Sequence, residues 1–188
     1  MVYYQKLFCL KNQGFKGVAA KFTVDWESYY SAIDPDAEDY EDRVEEPTYF
    51  LLGILKKYGV RAIFYALGDT VRKNLHLYLE IKRQGHILGW HGARHIHNLK
   101  SSYELFRSPY WDTTPMPFPP SGGFFFRAMP FWYVKWAVKA SGTFWIHPHD
   151  VDEGHPRLNN QMLNWKRHIG LTTARKKLER LLSEVQFG

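Results

Sequence analysis

Residues 60–91 read VRAIFYALGDTVRKNLHLYLEIKRQGHILGWH, and this stretch decides the fold. VRAIFYAL (60–67) is short, apolar and rich in aromatic and β-branched residues, the composition of a buried strand. Asp69 or Thr70 can cap a following helix whose apolar face is Val71, Leu75, Tyr78 and Leu79, and Gly85 ends it. HILGW (86–90) then begins another strand. Two strands joined by a helical crossover of a dozen or more residues form a parallel pair.

The same rhythm continues outward in both directions. VAAKFTV (18–24) reads as a buried strand running into the polar group Asp25, Trp26, Glu27. PTYFLLGILKKY (47–58) puts Phe50, Leu51, Ile54, Leu55 and Tyr58 on one helical stripe, with Pro47 in the first turn and Gly59 at the C-terminal cap. Five prolines at 109, 115, 117, 119 and 120 mark an irregular loop. Beyond it, PFWYVKWAVKASG (130–142) is a short helix started by Pro130, and TFWIH (143–147) is a strand ending in HPHD. Thr172 or Thr173 can cap a last helix, about 172–186, with Ala174, Leu178, Leu181 and Val185 inward and basic residues outward. The whole specifies a parallel α/β arrangement, in which ligands collect at the carboxyl ends of the strands. Asp25 and Glu27 leave the first strand on that side, and His91 and His95 leave the third.

With 188 residues, 45% hydrophobic and 23% charged, the chain suits one globular domain over 1–188 and excludes a wholly disordered one. Its single cysteine, Cys9, excludes an internal disulfide framework and a cysteine-based zinc site, so a metal would need His and carboxylate, of which nine His are a generous supply. The N-terminal MVYYQKLFCLKNQGFKG lacks the form of a signal peptide, and no run approaches the ~18 apolar residues of a spanning helix, so a cytoplasmic address is expected. The net charge of +6 is uneven: Asp34 to Glu46 is strongly acidic, and Arg157 to Arg180 is strongly basic. A basic helix suits phosphate or a membrane surface, giving a possible peripheral membrane contact, but charge alone assigns no nucleic-acid partner.

Four fragments carry chemistry: TVDWE (23–27), HGARH (91–95), FRSPY (106–110) and WIHPHD (145–150). Alternation along an extended chain points Asp25 and Glu27 to one side. His91 and His95, four apart, have a spacing that grips one divalent ion, and two His with one carboxylate leave positions open for water and substrate.

In this order the fragments resemble the motifs of the polysaccharide deacetylases of the NodB-homology group, carbohydrate esterase family four, and in particular a branch found in exopolysaccharide loci. TVDWE is similar to the family's strand-end acid pair TFDD, with the acids spaced one residue further apart. GWHGARHIH matches HxxxH, Arg107, Pro109 and Tyr110 match RxPY, GGFFFRAMP resembles GGYFR, and WIHPHD resembles YLHPWE. Only Ile96 to Phe106 separate the second and third motifs, where full-length relatives carry a longer segment.

The resemblance implies a compact, incomplete or distorted (β/α) barrel of the NodB-homology type. It also implies a metal-dependent hydrolase that removes an acetyl or related acyl group from an N-acetylated sugar of a surface polysaccharide or its precursor. Glu27, His91 and His95 would hold a divalent metal, zinc first, with cobalt or nickel as alternatives. Asp25 would be the general base, Arg107 would hold it ionised, and His147 would protonate the departing amine. The backbone N–H near Tyr110 would face the oxyanion, Trp26, Trp90 or Trp111 would stack on the sugar ring, and His97 and His149 are spare imidazoles nearby. The alternative is an inactive carbohydrate-binding or accessory protein of glycan assembly on the same fold.

Overall fold

The computed structural model describes residues 19–29, 42–93, 119–154, 156–157 and 161–188. Four short strands, β1 (Lys21–Trp26), β2 (Ile63–Ala66), β3 (Ile87–Trp90) and β4 (Thr143–Ile146), pair in parallel throughout in the order β3-β2-β1-β4. Alternation separates the two faces. Phe22, Val24 and Trp26 of β1, Phe64 and Ala66 of β2, and Phe144 and Ile146 of β4 are buried together under the helices. The register aligns Asp25, Tyr65 and Gly89 on the opposite face, with Thr23 beside Trp145. Among the described residues the sheet does not close, β3 and β4 being its edges, which agrees with an incomplete (β/α) barrel.

Helix α1 (Glu45–Tyr58) buries Pro47, Thr48, Leu51, Leu52, Ile54 and Leu55 and stops at Gly59, whose φ of 64° only glycine adopts cheaply. Its first turn carries Glu45 and Glu46 and its last Lys56 and Lys57, the favourable order for the helix dipole.

The single helix expected from Asp69 or Thr70 to Gly85 is two, α2 (Gly68–Lys73) and α3 (Leu75–Arg83). They break at Asn74, whose side-chain amide donates to Asp42 Oδ2 at 2.7 Å and to the Thr70 carbonyl at 3.3 Å. The restart rotates the inward stripe to Leu77 and Ile81, both fully buried, and leaves Leu75 and Leu79 more than half exposed, against the expected face. Val71 and Tyr78 do pack against the core.

Helix α4 (Gly123–Ala128), α5 (Phe131–Ser141), a 3₁₀ turn (Pro148–Val151), α6 (Gln161–His168) and α7 (Leu171–Glu184) complete the order. Leu171, Ala174, Leu178, Leu181 and Leu182 of α7 face the core. Its cap is Gly170, at φ 67°, rather than Thr172 or Thr173. A side chain at Gly170 would put Cβ 2.2 Å from the Arg127 carbonyl.

The junction of α4 with β4 is closer still. A Cβ on Gly122 would fall 1.9 Å from the Trp145 carbonyl, and one on Gly123 would fall 2.3 Å from the Trp145 indole. The side chains that α4 delivers therefore depend on this contact. Gly122→Ala is expected to force the two elements apart, costing about 1–3 kcal/mol and lowering the thermal midpoint by roughly 3–10 °C. A calorimetric scan against the parent chain checks this, and an unchanged midpoint would refute the contact.

Candidate active site

Parallel pairing brings the carboxyl ends of β1, β3 and β4 to one edge of the sheet, and each delivers a titratable group there. Asp25 is the penultimate residue of β1. The chain bends directly after it, the Glu27 N–H donating to the Asp25 carbonyl at 3.1 Å, which turns Glu27 inward to 2% exposure. His91 follows β3, its N–H donating to the Ala66 carbonyl at 2.9 Å. His147 follows β4.

These groups meet. Glu27 has an imidazole on either side, His91 Nε2 at 3.7 Å from one oxygen and His147 Nε2 at 3.4 Å from the other, while Asp25 Oδ2 lies 4.0 Å from His147 Nε2. The expectation that Asp25 and Glu27 share one mouth corresponds to this arrangement.

Behind His147 stands a charge relay that sequence reading did not assign. Asp150 Oδ2 accepts both the His147 backbone N–H at 2.9 Å and Nδ1 at 3.1 Å, fixing the ring and leaving Nε2 toward the acids. Asp150 Oδ1 accepts Arg127 Nε at 2.7 Å, both side chains being nearly inaccessible. The rest of the Arg127 guanidinium donates to the carbonyls of Arg167 (2.7 Å), Ile169 (3.0 Å) and Lys166 (3.1 Å), covering the end of α6. The sequence signals were present: a carboxylate three residues after a strand-end His, with Pro148 between them, and the GGFFFR segment that sets Arg127.

The electrostatics follow from the geometry. Burial alone would pull the His147 imidazole down, but Asp150, with Glu27 and Asp25, outweighs it and lifts the group to about 9. Burial would raise Asp150, yet the bond from His147 and the charges around it hold its carboxyl well below the usual range. Burial raises Asp25, with His147 and His91 opposing. His149 is driven well below 6.5 by burial and by the neighbouring His147 charge, so it is neutral. Its ring stacks on His147 with centroids 4.5 Å apart, and Arg167 Nη1 meets its Nε2 at 2.8 Å. Since a guanidinium only donates, the proton of His149 sits on Nδ1, which is buried without a hydrogen-bond partner.

Among the described residues one cluster of three groups could hold a metal ion. His147, His149 and Asp150 each offer a ligand atom within 4.8 Å of the others, but Arg127 already neutralises Asp150 and Arg167 already occupies His149. Glu27 and His91 also bring a buried carboxylate and an imidazole to within 3.7 Å of each other.

Of the remaining expected site residues, Trp90 is 42% exposed at the end of β3, free to meet a ring ligand. Trp26 is corrected: it has no exposure and its Nε1 donates to Thr48 Oγ1 at 2.9 Å, so alternation places it in the core, on the face away from Asp25. His95, His97, Arg107, Tyr110 and Trp111 lie outside the described residues.

His147 in chelator-treated protein is expected to titrate near 9, and Asp150→Asn to return it toward 6.5. Because the folded value exceeds the unfolded one, its contribution to stability is complete below pH 6.5 and is lost as pH rises through about 9. An imidazole NMR titration checks this, and a value near 6.5 in the parent chain would refute the relay.

Comparison with known proteins adds an independent line. A family model described as Polysaccharide deacetylase matches residues 39–113, and one described as Domain of unknown function (DUF3473) matches residues 84–188. The first takes in β2, β3 and the HxxxH and RSPY fragments, the second Arg127, His147 and Asp150, while Asp25 and Glu27 precede both. The peptidoglycan-N-acetylglucosamine deacetylase of Bacillus cereus is 29% identical over 90 residues, 42% of this chain and 42% of that protein, so the chain matches about two fifths of that relative's length. With a match over more than half its length the chain belongs to the DUF3473 family, and its residues 39–113 are similar to a polysaccharide deacetylase domain.

Proposed function

We propose that the protein is a metal-dependent hydrolase that removes an acetyl or related acyl group from an N-acetylated sugar of a surface polysaccharide or its precursor. The observation that carries this is the meeting of Asp25, Glu27 and His91 with a His147 whose far nitrogen is anchored by Asp150 and Arg127. The match to a polysaccharide deacetylase model and the activity for which the Bacillus cereus relative is named support the substrate class.

Amide hydrolysis needs a nucleophilic water, relief of charge on the carbonyl oxygen, and a proton for a poor leaving amine. Glu27 and His91, with His95 from the HxxxH motif, would hold the divalent ion, which when bound lowers the pKa of water and polarises the acyl carbonyl. Asp25 takes the proton of the attacking water. Its raised affinity for protons makes it a stronger base than an exposed aspartate, and Arg107 of the RSPY motif would keep it ionised. His147, charged at neutral pH, donates from Nε2 to the nitrogen of the breaking C–N bond. Asp150 holds the opposite ring nitrogen through that transfer, and Arg127 keeps Asp150 an anion.

A second reading, an inactive carbohydrate-binding protein on this scaffold, is favoured by one observation: only residues 96–106 separate the second and third motifs.

Acetate release from N-acetylglucosamine oligomers with added Zn²⁺ tests the two readings. Asp25→Asn and His147→Ala are each expected to lower the rate by about 10²–10⁴-fold with the fold retained, and chelation to abolish it. The rate should fall as pH rises through about 9, since His147 acts only while protonated. Sugar binding without acetate release would leave the second reading.

A further inference from the structure

The outer face of α6 carries an exposed indole among carboxamide and imidazole side chains. Gln161, Asn164, Trp165 and His168 recur at helical spacing along one side of the helix, while Arg167 leaves the other side toward His149. With Arg157 and Ile169 they line a groove of about 370 Å³. Trp165 is 56% exposed and braced by Phe124, the ring centroids 6.0 Å apart. Among the described residues, the side chains of Arg157 and Gln161 make no hydrogen bond or ion pair. Among the described residues no carboxylate lines the groove.

The position matters as much as the composition. Arg157 follows Pro156, whose carbonyl accepts the Tyr29 hydroxyl at 3.4 Å, and Tyr29 lies two residues past Glu27. Arg167 sits over the Tyr29 ring, 5.8 Å from its centroid. One end of the groove therefore borders the segment that carries the acids into the active-site mouth. The terminal carbonyls of α6, which would repel an anion, already accept from Arg127.

We propose that this groove binds an anionic pyranose, a sugar bearing a carboxylate or phosphate, adjacent to the sugar held at Asp25 and His147. The Trp165 face stacks on the ring, the Arg157 guanidinium pairs with the anion, and the Gln161 amide takes a hydroxyl group. The inference rests on the reading that the protein acts on a glycan and adds which neighbouring sugar it selects.

Calorimetric titration with hexagalacturonate and with N-acetylglucosamine 1-phosphate tests it, a neutral N-acetylglucosamine hexamer serving as comparison. Binding of at least one anionic probe is expected, more tightly than of the neutral hexamer. The first probe reports a uronate-bearing glycan and the second a sugar phosphate. Trp165→Ala and Arg157→Ala should each weaken it by about tenfold or more, Trp165→Phe should restore most of the loss, and Trp132→Ala, an exposed indole on α5, should leave it unchanged. No binding of either anionic probe overturns the proposal, as does binding that Trp165→Ala leaves intact or that the neutral hexamer equals. Because binding is read without turnover, Trp165-dependent binding by an inactive chain keeps the groove and removes the deacetylase reading. Acetate release without such binding does the reverse.

Discussion

A guanidinium and a carboxylate, both removed from water, meet at 2.7 Å in Arg127 and Asp150, and much of the molecule is arranged around that pair. Neither charge is tolerable alone there; removing one partner of a buried pair typically costs about 3–5 kcal/mol. The pair is supplied with further partners on both sides, three carbonyls at the end of α6 for the guanidinium and two N–H groups of His147 for the carboxylate. The close packing at Gly122, Gly123 and Gly170 belongs to the same requirement, because α4 must lie near enough to β4 and α7 for Arg127 to reach. One ion pair thus ties a helix, a strand end and two further helices into one unit, and the imidazole it orients is the one that faces the acids.

The proton inventory of the mouth follows from this. Two acids and two imidazoles in so small a volume would repel or neutralise one another without an external reference charge. Asp150 supplies it, making His147 the proton-rich member, while Glu27 and Asp25 divide the remaining roles by burial, the first nearly enclosed and the second partly open. His149, stacked against His147 and held neutral, fills the space behind without adding positive charge.

The parallel sheet was legible because each strand is a short apolar run set off by glycine or polar residues, and because the connections are long. The placement of Asp25, His91 and His147 at strand ends was legible because the apolar runs stop there, which needs no knowledge of packing. What eluded the sequence depended on tertiary contacts. The Asn74 break hides in a good helical pattern, since its cause is an Asp42 carboxylate distant in the chain. Trp26 sits between the two acids, and the same alternation that turns Asp25 to the mouth sends its indole into the core, while Glu27 reaches the mouth through the bend after β1. Arg127 and Asp150 were visible as letters, but a buried pair 23 positions apart has no spacing signature.

The central strand β1 has β2 on one side and β4 on the other, and its bond to β4 spans 121 positions, Thr23 Oγ1 donating to the Phe144 carbonyl at 3.2 Å. Such a contact closes a long loop and carries a corresponding entropic cost in the unfolded chain. Asp25 and Glu27 are synthesised before His147, with β2 and β3 between them, so the mouth cannot assemble until β4 has been made and has docked. The groups of the mouth therefore come together in the same event that completes the four-stranded sheet.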